Sequence, residues 1–490
     1  MSTTFTLDID WDGTWSDETP YLRRMQSRQG FAAPADSVAE PGHCVLTLDN
    51  RTRRFSPANV ASPLYGQLLP RRPVRIRAQS GAQTWTLFHG LIERFDPDSG
   101  GLGLRQCTIT CVDGLTLLAR QRLGTPYAST YAVTAALTDI VATAYTPPAA
   151  SYGDNGDLLQ HYGQPWTPER TTCLDALRQI SDAVWGRFFI QRDGTATFWT
   201  RAQRQNPSIT AALTLNASAL SDLKFSLDIN RVTNLVQVKI YPVETVGAET
   251  ELWRATTTLR LAPMQQRVIH ALFHDSDGER CGAVDVVAPV PTTDYLVNDA
   301  PNGSGYNYTT DPAFSIATET EATRLKITLT NNAIGPLYVT LLRVRGQPVR
   351  AYDPITIERS DSTSQAVYEK RARLYDLPMQ SDLNFGELLA DFLLGRSKNP
   401  ALAAESLTVQ NRDTLSGVNF FSLNLLDKIV ITDPQTGASA LAHWLRAIDY
   451  DLSTQGYTVT LHLERCDEKT YWLLGQSTYS ELNTTTRLGL

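Results

Sequence analysis

The chain has 490 residues, 42% of them hydrophobic and 19% charged, with a formal net charge of −7. That length is too great for one simple core, and the apolar share excludes a mostly disordered protein. No block of five or six like charges occurs, so the basic stripe expected of a primary nucleic-acid binder is missing, and a mildly negative surface is compatible with DNA passing nearby.

The start carries Asp8, Asp10, Asp12, Asp17 and Glu18 without a basic opening or an apolar run. This reads as no secretory signal and as synthesis in a cytoplasm. No stretch approaches the 18 or more apolar residues of a spanning helix.

The first 120 residues read as short strands broken by turns. Residues 45–48 form a strand ending at Asp49-Asn50. Val74, Ile76 and Ala78 alternate with Arg75 and Arg77, which predicts one inward and one outward face. Strands at 85–88 and 91–95 flank His89-Gly90, and 107–112 follows a turn at Gly100, Gly101 and Gly103. Many short strands with non-local pairing predict a closed barrel over 1–120, because closure removes exposed edges.

The period then changes. Val133, Leu137, Ile140, Val141 and Ala144 recur at helical spacing until Pro147-Pro148. A second helix begins near Thr171 or Thr172, with Thr172 and Asp175 in a capping arrangement. Leu174, Leu177, Ile180 or Ser181, and Val184 form its stripe, and Gly186 ends it. Strands at 188–191 and 195–199 flank Arg192-Asp193-Gly194, a hairpin signal. Residues 121–220 therefore read as a small α/β domain.

Val232, Val236, Val238 and Ile240 open a second β region near 221. Residues 246–349 read as a β insertion, containing a loop at 298–305, alternating Leu325, Ile327 and Leu329, and a strand at 337–344. Residues 364–377 look helical, and a further helix at 385–397 carries Phe385, Leu388, Leu389, Phe392 and Leu393 before Pro400. Strands return at 428–432, 441–448 and 459–463. Residues 221–245 and 350–466 together read as a second barrel with associated helices, and 467–490 as a C-terminal arm. The fold class is mainly β with α/β parts, and multidomain.

A search for chemistry yields no catalytic, cofactor or metal residues. His270 and His274 have ligand spacing only if helical, and the segment lacks the glutamate of a His-Glu-x-x-His motif. Asp275 or Cys281 would be a third ligand only by assumption. Asp8, Asp10 and Asp12 alternate, but an EF-hand counted from Asp8 would place Thr19 where its terminal glutamate belongs. Glu93, Asp96 and Asp98 are near enough in sequence for a glycosidase pair, and serve equally as a hairpin end. Cys107 and Cys111 share a strand face roughly 13 Å apart, too far for a disulfide or a shared metal. They and Cys44, Cys173, Cys281 and Cys466 read as free thiols, which behave as small hydrophobes.

Ordered motifs point further. Trp11-Asp12-Gly13-Thr14-Trp15-Ser16-Asp17-Glu18-Thr19 is followed by Arg28-Gln29-Gly30 and Glu40-Pro41-Gly42. Next come Leu48-Asp49-Asn50, Arg54-Phe55-Ser56-Pro57-Ala58-Asn59, Ser62-Pro63-Leu64-Tyr65-Gly66, Pro70-Arg71-Arg72-Pro73-Val74-Arg75 and Phe88-His89-Gly90-Leu91-Ile92. This set resembles the tail hub, or baseplate hub, proteins of long-tailed phages (siphophages), themselves similar to the two-barrel hubs of contractile tails. The helix and hairpin at 174–198 and the segment 364–400 resemble them too, although the usual family glycine near Tyr368-Glu369 is missing.

The resemblance implies two hub-type β-barrels and a homotrimer that adapts a sixfold tail tube to a threefold tip while lining the DNA exit channel. The partners it implies are the distal tail protein ring, the C-terminal end of the tape measure protein, and tip or receptor-binding proteins, with possible host envelope contact. It implies a virion location at the tail tip after assembly in the host cytoplasm, and no enzyme. Two alternatives stand beside it: a glycan-binding module using Trp253, Tyr295, Tyr306 and Tyr308 of the insertion, and a cell-wall hydrolase.

Overall fold

The computed structural model describes residues 3–99, 103–123, 130–160, 171–206, 208–216, 222–410 and 420–466. The expected arm at 467–490 and most of the glycine turn at 100–103 lie outside them. The chain is mainly β, in several sheets, and multidomain.

The N-terminal region contributes β1 (Thr4–Asp10), β2 (Trp15–Asp17), β3 (Leu22–Gly30), β4 (Glu40–Asp49), β5 (Pro73–Ser80), β6 (Gln83–Pro97) and β7 (Gln106–Val112). The alternation around Arg75 is realised in β5, where Val74, Ile76 and Ala78 are buried. Residues 83–97 form one strand rather than two. At Gly90 the backbone runs so close to β7 that a Cβ would stand 2.3 Å from the Val112 carbonyl oxygen, so the chain continues through His89-Gly90 instead of turning.

The middle region holds α1 (Gly114–Arg120), β8 (Thr130–Ala132), α2 (Val133–Ala144), β9 (Ala150–Tyr152), β10 (Leu158–Gln160), α3 (Cys173–Ala183), β11 (Arg187–Ile190), β12 (Ala196–Trp199), α4 (Arg201–Gln205) and β13 (Leu213–Asn216). The Thr172 hydroxyl accepts from the Asp175 N–H at 3.1 Å and caps α3. Arg192-Asp193-Gly194 forms the β11–β12 turn, with Gly194 at φ 90° and its N–H bonded to the Gln191 carbonyl at 2.9 Å.

Next come β14 (Asp222–Ser226) and β15 (Leu235–Ile240), then the insertion strands β16 (Val243–Thr245), β17 (Thr250–Arg254), β18 (Leu259–Leu261), β19 (Gln266–Leu272), β20 (Gly282–Val287), β21 (Tyr295–Asn298), β22 (Phe314–Glu321), β23 (Arg324–Asn331) and β24 (Leu337–Ala351). The chain continues through β25 (Ile355–Ser360), α5 (Ser362–Tyr368), β26 (Ala372–Leu377) and α6 (Leu383–Ser397). It ends its described part with β27 (Ala403–Gln410), β28 (Lys428–Asp433), β29 (Ala438–Ser453) and β30 (Gly456–Arg465).

One departure from expectation lies at 364–377, where only α5 is helical. Glu369 takes a left-handed φ of 62° and ends that helix, and β26 then pairs in parallel with β15. The tertiary ladder outweighs local helix propensity there.

Thirteen strands form one sheet in the order β14-β27-β30-β29-β3-β4-β7-β6-β5-β1-β2, with β28 and β13 branching from β29. The first and last β regions thus join edge to edge where β3 pairs β29, from Gly30↔Ala447 to Arg24↔Ser453. The range expected as a second barrel divides between this sheet and a three-stranded sheet β25-β15-β26 covered by α6. One core holds Leu7 and Phe31 of the first region, Leu177 and Phe188 of the middle region, and Leu407 and Trp444 near the end. The insertion has a separate core, with Phe273, Leu325, Ile327, Leu329 and Val339 buried around the central strand β24. Among the described residues no helix is long and apolar enough to cross a membrane.

Candidate interaction surfaces

Three polar assemblies in the large sheet come from residues far apart in sequence. The first organises the loop between β4 and β5. Glu18 is fully buried and accepts from Trp11 Nε1 at 2.9 Å and from Arg54 at 2.7 and 3.0 Å. Asn50 accepts from the Phe55 N–H at 2.9 Å and donates to Ser56 Oγ at 3.0 Å. Asn59 donates to the Arg53 carbonyl and Ser62 to the Arg54 carbonyl. The motif residues Trp11, Glu18, Asn50, Arg54, Ser56, Asn59 and Ser62 are therefore the hydrogen-bonding frame of one loop. Satisfying these buried polar groups fixes its shape.

The second assembly is the β3–β29 seam. Arg24 grips Asp451 bidentately at 2.8 and 2.5 Å, and Gln26 adds a bond to the same carboxylate at 3.2 Å. Asp449 lies between Arg28 at 3.3 Å and His462 at 2.8 Å. The Arg24 guanidinium holds the Asp451 carboxyl below its ordinary range. Two adjoining shallow grooves of about 370 and 420 Å³ run over this face, sharing Asp451 and Thr458. Half-exposed ion pairs of this kind contribute only about 0.2–1 kcal/mol each, so their main effect is on register.

The third assembly ties the middle region to the sheet. Arg187 of β11 pairs with Glu464 of β30, stacks over Phe31 at 4.7 Å and donates to the Pro34 carbonyl at 2.6 Å. Arg192, in the β11–β12 turn, donates to the Phe421 carbonyl, Tyr450 Oη and Asn424 Oδ1 at 2.8 to 3.0 Å.

The residues weighed for chemistry are not gathered into a site. His270 lies on strand β19 opposite Lys326, and His274 follows that strand in a bridge to Arg280, so the two do not share a helix face. Asp275 pairs with Arg350 at 2.6 Å. Asp8 is held by Arg75 and Arg77, Asp10 accepts from the Gly13 N–H, and Asp12 is exposed. Glu93 pairs with Arg120, Asp96 with Arg94, and Asp98 accepts from the Gln106 N–H. Among the described residues no group of three His, Cys, Asp or Glu side chains is placed to hold a metal ion.

Cys107 and Cys111 are buried with their thiol pKa values pushed up by desolvation, that of Cys107 to about 12. In the insertion, Tyr295 is buried against Phe314, whereas Tyr306 is 61% exposed and packs edge-on against Tyr308 at 4.9 Å. The seam pairs and Arg187–Glu464 escaped the sequence because no local pattern marks partners some 280 to 430 positions apart.

No family model and no curated protein matches the chain. Solved structures do. The tail protein from Neisseria meningitidis MC58 superposes with a TM-score of 0.50 at 11% identity, covering 94% of this chain and 96% of that one. The chain shares its fold with that protein. The 43 kDa tail protein of prophage MuSo2 from Shewanella oneidensis is also similar, at TM-score 0.47 and 11% identity, covering 94% of this chain and 99% of that one. So is a prophage tail protein from Listeria monocytogenes EGD-e, at TM-score 0.44 and 10% identity, with 94% of each chain covered. In this fold the three polar assemblies are places where the chain's distant parts are locked together.

Proposed function

We propose that the chain is a structural component of a phage tail, and specifically its hub at the tip. In this reading three copies adapt a sixfold tube to a threefold tip and line the channel through which DNA leaves, without binding it specifically. The observation that carries the reading is the fold shared along 94% of the chain with the Neisseria meningitidis tail protein. The ordered motifs support it, since they build one locked loop and not a catalytic centre.

The proposed division is a barrel at 1–120, an α/β domain at 121–220, a second barrel from 221–245 and 350–466, a β insertion at 246–349 and an arm at 467–490. Neighbours in the reading are a distal tail protein ring, the end of the tape measure protein and tip or receptor-binding proteins. The chain acts mechanically, through extended β interfaces of the large area that permanent assemblies bury. The test is a phage lacking the chain's gene: complementation restores complete tails, and a tag on the chain is found at the tip by electron microscopy. Tails that form fully without the chain overturn the reading.

A second reading has one observation in its favour, the exposed Tyr306 packed edge-on against Tyr308. An aromatic ring presented to solvent suits a sugar face, and a glycan array probed with the full chain and with Tyr306→Ala decides it. A hydrolase reading has less support, because Glu93 and Asp96 are each paired with arginine. A zymogram on cell-wall substrate tests it.

A further inference from the structure

Residues 50–92 contain seven arginines (51, 53, 54, 71, 72, 75 and 77), no lysine and no acidic residue. The chain as a whole has 44 basic and 51 acidic residues. Removing the seven leaves 37 basic against 51 acidic, so a segment of +7 sits in a remainder of −14.

Four of the seven are paired internally, with three carboxylates. Arg51 pairs with Asp49, Arg54 with Glu18, and Arg75 and Arg77 with Asp8. Arg53, Arg71 and Arg72 have no acidic partner among the described residues; Arg53 and Arg71 are exposed and Arg72 is half-buried. Arg72 meets only the neutral Gln67 carbonyl, at 3.1 Å.

Two further observations bear on these groups. Arg53 and Arg71 stand at φ 59° and 69°, the left-handed region that L side chains avoid. Neither can relax, because the Arg53 backbone bonds Asn50 and Asn59 and the Arg71 N–H bonds the Ile92 carbonyl at 2.6 Å. A strained conformation retained at an exposed, unpaired arginine points to use of that side chain. The same loop also turns apolar groups to water: Val60 is 74% exposed, Tyr65 54% and Leu69 51%.

We infer that the loop over 50–72 is a docking surface for an acidic protein segment bearing apolar side chains, with Arg53, Arg71 and Arg72 meeting its carboxylates and Val60, Tyr65 and Leu69 its apolar groups. Charge complementarity selects the partner. Three guanidinium groups without a carboxylate partner, in a chain of net −7, make too small a basic field for duplex DNA, which takes a stripe of phosphate contacts. The loop is locked rather than free to lie along a lipid surface, and locked loops with interleaved arginine and aromatic groups suit protein recognition. This rests on the tail reading for where such a partner occurs, but not for its chemistry.

The experiment uses the full chain and Arg53→Asn/Arg71→Asn. Asparagine removes the charge and tolerates a positive φ, so the loop keeps its fold, and circular dichroism verifies this. The probes are a fluorescent glutamate–leucine copolymer, a duplex DNA and phosphatidylglycerol vesicles. The expected result is binding of the copolymer above the other two, weakened by added salt and weakened about tenfold or more in the double variant. Equal binding by variant and wild type overturns the inference, as does preference for DNA or vesicles. An arginine-dependent association of the chain with itself, in place of copolymer binding, overturns it too. Tail assembly is scored separately, so loss of the hub reading and loss of this one are told apart.

Discussion

Arg187 and Glu464 face each other 277 positions apart in sequence, as an ion pair with each side chain only 1% exposed. Arg187 belongs to the hairpin of the middle region and Glu464 to the last described strand, while Phe31 and Pro34, which complete the cluster, follow β3. One buried pair thus fastens three segments of the chain. Removing one partner leaves the other charge buried and uncompensated, so Glu464→Gln is expected to cost about 3–5 kcal/mol. Arg187→Met/Glu464→Met, which removes both charges, is expected to cost much less. Urea midpoints of the three proteins measure this, and a double variant as unstable as the single one contradicts it.

Gly30 carries the close approach at the seam. Its φ is 126°, and a Cβ there would stand 2.3 Å from the Arg446 carbonyl oxygen and 2.5 Å from the Ala447 Cα. Both contacts are to backbone, which cannot swing aside. Gly30→Ala is expected to lose about 2 kcal/mol or more, read as a lowered Tm. An unchanged Tm would show that β3 and β29 part easily.

His443 gives the fold an acid-labile point. Its Nε2 accepts from the Ala404 N–H at 3.0 Å, so the proton is on Nδ1, which donates to the Leu441 carbonyl at 3.0 Å. Burial lowers its pKa from 6.5 to about 4. Between those values the unfolded chain binds the proton and the folded chain does not. This contribution to stability is therefore complete above pH 6.5 and declines as pH falls towards 4, by on the order of 3 kcal/mol. His443→Asn is expected to flatten that slope in urea titrations across the window.

Asp113 acts in the opposite sense. It caps α1 by accepting from the Leu115 N–H at 3.0 Å, and burial raises its carboxyl to about 7 from 3.8. Between those values the folded chain holds the proton and the unfolded chain does not, so this group lowers stability as pH rises from 4 to 7. Asp113→Asn keeps the capping oxygen and loses the titration. The variant is expected to be more stable than wild type at pH 8 and to differ little at pH 4.

Local features were the legible ones. The Thr172 cap, the turn at Arg192-Asp193-Gly194, the alternation around Arg75 and the helix at Phe385 all depend on neighbours within a few residues, which a sequence displays. The joining of β3 to β29 depends on strands more than 400 positions apart, and alternation marks a face without naming a partner. Local spacing did not settle element type in two places. The spacing of His270 and His274 suits a helix or a strand equally, and 364–377 carries helix formers that β15 recruits into a ladder. As for the interaction surfaces, the motifs at 11–18 and 50–62 were visible as text. Their convergence on Glu18 was not, because Arg54 reaches back 36 positions.

The hub account stands or falls most directly on the mass of the purified chain in solution, alone and mixed with its ring partner. Three copies of the 54.2 kDa chain give about 163 kDa, the value predicted for a closed trimer, and a larger complex is predicted once the ring protein is added. A species that stays at 54.2 kDa in both samples would contradict the account.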